Sequence, residues 1–164
     1  MENKSYSNIS SFGKELLQAR TLYDGLPIIG KYAKGIIDAE RYSIFIYDNE
    51  KKELWTTLAD GIDRIIIDSK KGIVGRALEL EETVIENDIV NNVYFLGDVD
   101  QKSGFTTKNI IATPIFNSKH KVIGILELLN KEGGFNDEDK KFMKFFTNYI
   151  SGFIELASLS SDKE

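Results

Sequence analysis

The chain has 164 residues, 41% hydrophobic and 29% charged, the composition of one ordinary globular domain with a real core. A formal charge of -5 without a basic stripe argues against nucleic acid or anionic membrane as main partners, and with no apolar run near the ~18 residues of a membrane span and no apolar stretch at its start, a cytoplasmic address is expected. The absence of cysteine removes disulfides, thiolate metal sites, cysteine nucleophiles and thioether-linked chromophores together.

From the amino terminus, Ile9, Phe12, Leu16, Leu17, Ala19, Leu22 and Tyr23 recur at helical spacing. Asp24-Gly25-Leu26-Pro27 predicts a break, with the proline opening a second helix whose stripe is Ile28, Ile29, Tyr32, Ala33, Ile36 and Ile37. The pattern changes at Arg41. Tyr42 to Tyr47 is apolar on both alternating faces apart from Ser43, as expected of a central strand buried on both sides. Glu53 to Leu58 and Arg64 to Ile67 read as two further strands, and Trp55 is expected in the core or against a helix. After Asp68, the run Gly72-Ile73-Val74-Gly75 opens a short helix, its glycines allowing close backbone approach. Thr83 to Glu86 is a brief strand. Asn87 to Phe105 is polar and without period, a long loop or a loop holding a short helix, and long loops in compact domains are often functional.

Asn109 to Phe116 and Val122 to Leu129 form a predicted hairpin around Asn117 to Lys121, which makes His120 an exposed turn residue rather than a ligand or base. Glu127, between Leu126 and Leu128, needs a partner, solvent at a strand edge, or a polar cavity. A last helix from near Asp137 carries Phe142, Phe145, Phe146, Tyr149, Ile150, Phe153 and Ala157. Six strands joined largely by turns, with amphipathic helices from both chain ends, predict an α+β fold: an antiparallel sheet between helices, the amino- and carboxy-terminal helices packed together on one face. Residues 1–40 are read as the helical start of the same domain and a candidate dimer interface, and residues 41–160 as the core with its last helix.

The segment from Arg41 to Ile154 resembles a GAF domain of the kind found in cyclic-nucleotide phosphodiesterases and bacterial signalling sensors. The resemblance rests on Gly72-Ile73-Val74-Gly75-Arg76-Ala77, on Val99-Asp100-Gln101-Lys102-Ser103-Gly104-Phe105 through Ile110, on Pro114-Ile115, and on Val122 to Lys131 leading to Phe135. The phosphodiesterase-type signature is matched by Asn130, Lys131, Phe135 and Asp139, with Lys140 in place of its final glutamate. The resemblance implies that Lys131 and Asp139 form a structural ion pair. It also implies ligand contacts from Ser43, Asp60, Ile73, Val74, Leu96, Val99, Asp100, Ser103, Thr107 and Glu127. Ile73 and Val74 would offer helix-start amides to a phosphate, Ser43 would face the base, and the loop residues would supply cover, ribose and base contacts.

Each assignment has an ordinary alternative. Ser43 bonds backbone within the sheet, Asp100 shapes the loop, Ser103 with Gly104 makes a turn, Thr107 is a β-branched strand residue, and Glu127 pairs with Lys131 or Lys108. The family's aromatic base-stacker is missing, because Leu58-Ala59-Asp60-Gly61 keeps only the acid and the glycine; a stacked base is worth about 1 to 3 kcal/mol.

The function expected is a small-molecule-sensing regulatory domain of a signalling protein, with cyclic AMP or cyclic GMP as candidate ligands and an effector domain as its target. The alternative is a ligand-independent homodimerisation module of the same fold. Catalysis is not expected, because the GAF-fold methionine sulfoxide reductases resemble cysteine redox enzymes. No metal site is expected either.

Overall fold

A computed structural model describes residues 2–56, 65–92 and 105–161 of the chain. Helices α1 (Glu2–Gln18) and α2 (Leu22–Ile37) precede strands β1 (Ala39–Asp48), β2 (Glu53–Thr56) and β3 (Ile65–Asp68). Helix α3 (Gly72–Leu80), strand β4 (Val84–Glu86) and a single 3₁₀ turn (Ile89–Asn91) follow, then β5 (Ile110–Phe116), β6 (Val122–Lys131) and the long helix α4 (Asp137–Ser161). The strands form one six-stranded sheet in the order β3-β2-β1-β6-β5-β4, and every pairing is antiparallel. The α+β arrangement read from the sequence is therefore the one present.

The two central strands explain their own composition. β1 and β6 pair from Ala39 opposite Lys131 to Ile46 opposite Gly124, and a strand covered on both faces needs apolar residues at every position. Tyr42, Ile44, Ile46, Leu126 and Leu128, with Ile111 and Ile115 of β5, point to one face and bury the stripes of α1, α2 and α4. Phe45, Ile125, Leu129, Ile110 and Ala112 point to the other, where Ile73, Val74 and Ala77 of α3 cover them. The terminal helices thus share a face, and Phe12 of α1 lies in that core, its ring 4.4 Å from Tyr32 and 5.4 Å from Phe146. Trp55 packs partly buried against the same cluster. No helix among the described residues is long and apolar enough to cross a membrane.

The first helical break falls earlier than the proline suggested. Thr21 is the cap of α2, its Oγ1 accepting from the Asp24 amide at 3.2 Å, so Leu22 and Tyr23 belong to the second helix and Pro27 lies inside it. Capping chemistry outweighed the proline, which so near the helix start forfeits only one backbone bond. Strand β1 begins at Ala39, because Asp38 takes the left-handed conformation (φ 63°) and turns the chain straight from α2 into the sheet. At the other sheet end, Asn117 Oδ1 accepts from the Lys119 and Lys121 amides, and His120 sits exposed in that turn, stacked on Phe116. Ser118 donates from its amide and its hydroxyl to Glu155, tying the hairpin to α4.

Helix α2 lies flat on β1 because Gly30 has no side chain: a Cβ there would come within 2.1 Å of the Tyr42 ring, which is buried. At Gly35, near the exposed end of the same helix, a Cβ meets nothing within 4 Å. Gly30→Ala should therefore lower stability by about 1–3 kcal/mol through overpacking, whereas Gly35→Ala should raise it by up to about 1 kcal/mol through helix propensity. Urea denaturation of the pair reads both signs.

Candidate ligand site

The α3 face of the sheet is largely apolar, with a few polar side chains on its central strands. Strand alternation brings Arg41, Ser43 and Phe45 to this face of β1, and Ser43 is opposite Glu127 of β6, which in turn is opposite Ala112 of β5. Ser43 is buried and Glu127 half-buried, among Phe45, Ile125, Leu129 and Ala112 of the second core cluster. Thr56 of β2 and Thr107, just before β5, are also buried. A hydroxyl and a carboxylate side by side on an otherwise dry floor can accept and donate to the polar edge of a flat molecule while the aliphatic side chains pack on its faces.

The helix covering this floor begins without a side-chain cap. Lys71 is extended at its N-cap (φ -109°, ψ 153°) and contributes no side-chain hydrogen bond, and Gly72 takes a positive φ of 74° to start the turn. Ile73 and Val74 are both buried at the first turn. An uncapped helix start carries backbone donors and the positive end of the helix dipole, which together suit an anionic group.

A second set of residues fixes the segments that border this floor. Asn130, the penultimate residue of β6, is left-handed (φ 59°), and its side chain turns onto the chain entering β5. Its Oδ1 accepts from the amides of Lys108 at 2.7 Å and Asn109 at 3.3 Å, and its Nδ2 donates to the Thr106 carbonyl at 2.8 Å. Asn109 returns the favour, exchanging hydrogen bonds with the backbone of Lys131 at 2.8 and 3.0 Å. Lys131 Nζ lies 2.7 and 2.8 Å from the two carboxylate oxygens of Asp139. Asp139 and Asn136 form a reciprocal capping box at the start of α4, each side chain accepting from the other's amide. On the far side, Asn87 pairs with Phe135 as a strand would, donating to its carbonyl and accepting from its amide at 3.0 and 2.9 Å. The residues flanking the segment from 88 to 105 are thus tied to the end of β6 on one side and to the stretch between β6 and α4 on the other.

Of the residues singled out from sequence, Ser43, Ile73, Val74 and Glu127 lie on the α3 side of the sheet, and Thr107 is buried just before β5. Asp60, Leu96, Val99, Asp100 and Ser103 lie outside the described residues. The amine of Lys131 goes to Asp139, an ion pair with side-chain exposures of 22% and 9%. Sequence reasoning missed Asn87 and Asn109, whose roles depend on partners far along the chain, and Arg41, whose guanidinium lies 4.0 Å from the centre of the Phe105 ring. For Asn109 there was a signal, an asparagine at the mouth of a strongly apolar strand; for Asn87 there was none beyond a turn-forming residue.

A family model described as GAF domain matches residues 19–155. The chain is 29% identical over 143 residues to the probable 3',5'-cyclic phosphodiesterase pde-5 of Caenorhabditis elegans, covering 78% of this chain and 20% of that protein. It is 27% identical over 140 residues to the dual 3',5'-cyclic-AMP and -GMP phosphodiesterase 11A of Takifugu rubripes, covering 76% of this chain and 16% of that one. The chain therefore spans about a fifth of the length of these curated relatives, or less. Among solved structures, the GAF domain of an Acinetobacter phosphoenolpyruvate-protein phosphotransferase superposes with a TM-score of 0.82 over 99% of both chains at 18% identity. A free methionine-R-sulfoxide reductase from Neisseria meningitidis superposes with a TM-score of 0.74 over 91% of this chain and 87% of that one, at 15% identity. Likeness at such identities speaks for the fold alone.

The Asn130 bonds carry a measurable load. Asn130→Ala strands its part-buried backbone partners and places alanine in a left-handed conformation, which together should lower stability by about 2–4 kcal/mol. Urea denaturation reads the loss, and hydrogen exchange at the Lys108 and Asn109 amides should quicken beyond what that global loss accounts for.

Proposed function

The chain belongs to the GAF domain family, and on that premise we propose that it is the regulatory, small-molecule-sensing domain of a cytoplasmic signalling protein, with a cyclic nucleotide as its ligand. The observation that carries the reading is the Ser43–Glu127 pair on the apolar floor beneath an uncapped helix start. A cyclic nucleotide has a matching division: an anionic phosphate for the Ile73 and Val74 amides, and a flat base with polar edges for Ser43 and Glu127. In this reading Asp60, Leu96, Val99, Asp100, Ser103 and Thr107 complete the site, and Lys131 with Asp139 serves as its scaffold. Two phosphodiesterase relatives that match over this length support the choice of ligand class, and their greater length supports an effector domain elsewhere in the protein.

Binding to the folded state alone stabilises it by RT ln(1 + [L]/Kd), about 2.7 kcal/mol at one hundred times Kd. For a chain of this size that is roughly a 5–11 °C rise in melting temperature. A thermal-shift series with cyclic AMP and cyclic GMP should show such a rise for at least one of them, and no rise with either at millimolar concentration defeats the nucleotide reading.

A second reading, a homodimer joined through the terminal helices, is favoured by their exposed apolar side chains: Leu17 is 86% exposed, Leu156 69% and Tyr149 49%. These residues also line a groove of about 570 Å³ between α1 and α4. Helix α1 contributes through Leu17 rather than Phe12, which is buried. Sedimentation equilibrium should give a dimer that Leu156→Glu dissociates without unfolding the domain; a monomeric parent chain rejects this reading.

A further inference from the structure

Arg41 has no role in the fold that accounts for its chemistry. It sits on the same face of β1 as Ser43 and Phe45, opposite Leu129 of β6. Its guanidinium is held against the ring of Phe105, 4.0 Å from the centroid to the central carbon, just where the chain enters the approach to β5. A guanidinium packed on an aromatic ring can still donate from its nitrogens. Nη1 is nevertheless buried with no hydrogen-bond partner among the described residues. Guanidinium has five N–H donors, no acceptor, and keeps its charge at any physiological pH. A buried charged donor left unsatisfied is costly and rare, and an exception of this kind calls for an explanation.

The neighbouring polar row supplies one. Ser43 is opposite Glu127, so Arg41, two positions along the same face, is a diagonal neighbour of Glu127 at about 7–8 Å by sheet geometry. On neighbouring strands, the face thus carries a guanidinium, which only donates, and a carboxyl group, which can accept.

We propose that Arg41 is a specificity-determining ligand contact, which reads an edge made of acceptors alone. The inference rests on the cyclic-nucleotide reading above. On a purine the edge in question is O6 with N7, which guanine and hypoxanthine present and adenine does not, since its position 6 bears an amino donor. Arg41 therefore selects 6-oxopurines, and Glu127 accepts from the N1–H that those rings also share. Phe105 packs against the guanidinium beside that contact.

Calorimetric titration of the whole chain with cyclic GMP, cyclic IMP and cyclic AMP tests this, using the parent protein, Arg41→Met and Arg41→Lys. Methionine keeps an unbranched apolar stem against Phe105 and removes every donor; lysine keeps the charge and loses the two-point geometry. The parent should bind cyclic GMP and cyclic IMP alike, and cyclic AMP roughly 5- to 150-fold more weakly. Both variants should lose most of that preference. The ligand-free melting temperature of Arg41→Met should be unchanged or higher, because an unpartnered buried donor has been removed. Cyclic AMP bound as tightly as cyclic GMP by the parent, or a preference that survives in both variants, overturns the role of Arg41 and leaves the nucleotide site standing. A marked fall in the ligand-free melting temperature of Arg41→Met also overturns it, by assigning the residue to the fold. Binding of none of the three overturns the nucleotide reading and this inference together.

Discussion

Two consecutive side chains at the end of β6 hold together three parts of the chain that are far apart in sequence. Asn130 binds the backbone of residues 106–109, and Lys131 binds Asp139 at the start of α4. Between them the main chain reaches Phe135, whose amide and carbonyl are taken by Asn87. Backbone polar groups at the ends of buried strands must be satisfied, and here side-chain amides do what a further strand would otherwise do. The left-handed twist of Asn130 aims its amide at that work, and asparagine is among the few residues with a side chain that tolerates the conformation.

The sheet separates two tasks. On one face the terminal helices and the sheet make a dry, close-packed core around Phe146, Met143, Ile150 and Leu26, with contacts such as Gly30 against Tyr42 that leave no room for an added methyl. On the other, a short helix covers a floor with a polar row across it. β1 and β6 serve both faces, so a ligand that pushes on Ser43 and Glu127 acts on the strands beneath α2 and α4. If the proposed site and the proposed helix interface both hold, that shared backbone would connect them.

Much of this was legible in the residues. The continuous apolar run from Tyr42 to Tyr47, interrupted only by Ser43, marked a strand buried on both sides, and Glu127 in its apolar run marked the same floor from the neighbouring strand; their direct cross-strand pairing follows from register, which composition does not fix. The start of α2 was misjudged because a proline is a louder signal than a threonine, although the threonine forms the cap. Asn87 and Arg41 were not legible at all. Their importance arises from Phe135 and Phe105, 48 and 64 residues away along the chain, and nothing local in either residue announces it.

The central claim is that the α3 face is a seat for a small anionic, flat molecule. A crystal structure of the chain grown with cyclic GMP tests it most directly. The nucleotide should lie between the first turn of α3 and the Ser43–Glu127 row, with the Asn130 bonds to residues 106–109 intact. A nucleotide lodged elsewhere, or that space filled by the protein's own side chains with no nucleotide bound, would contradict it.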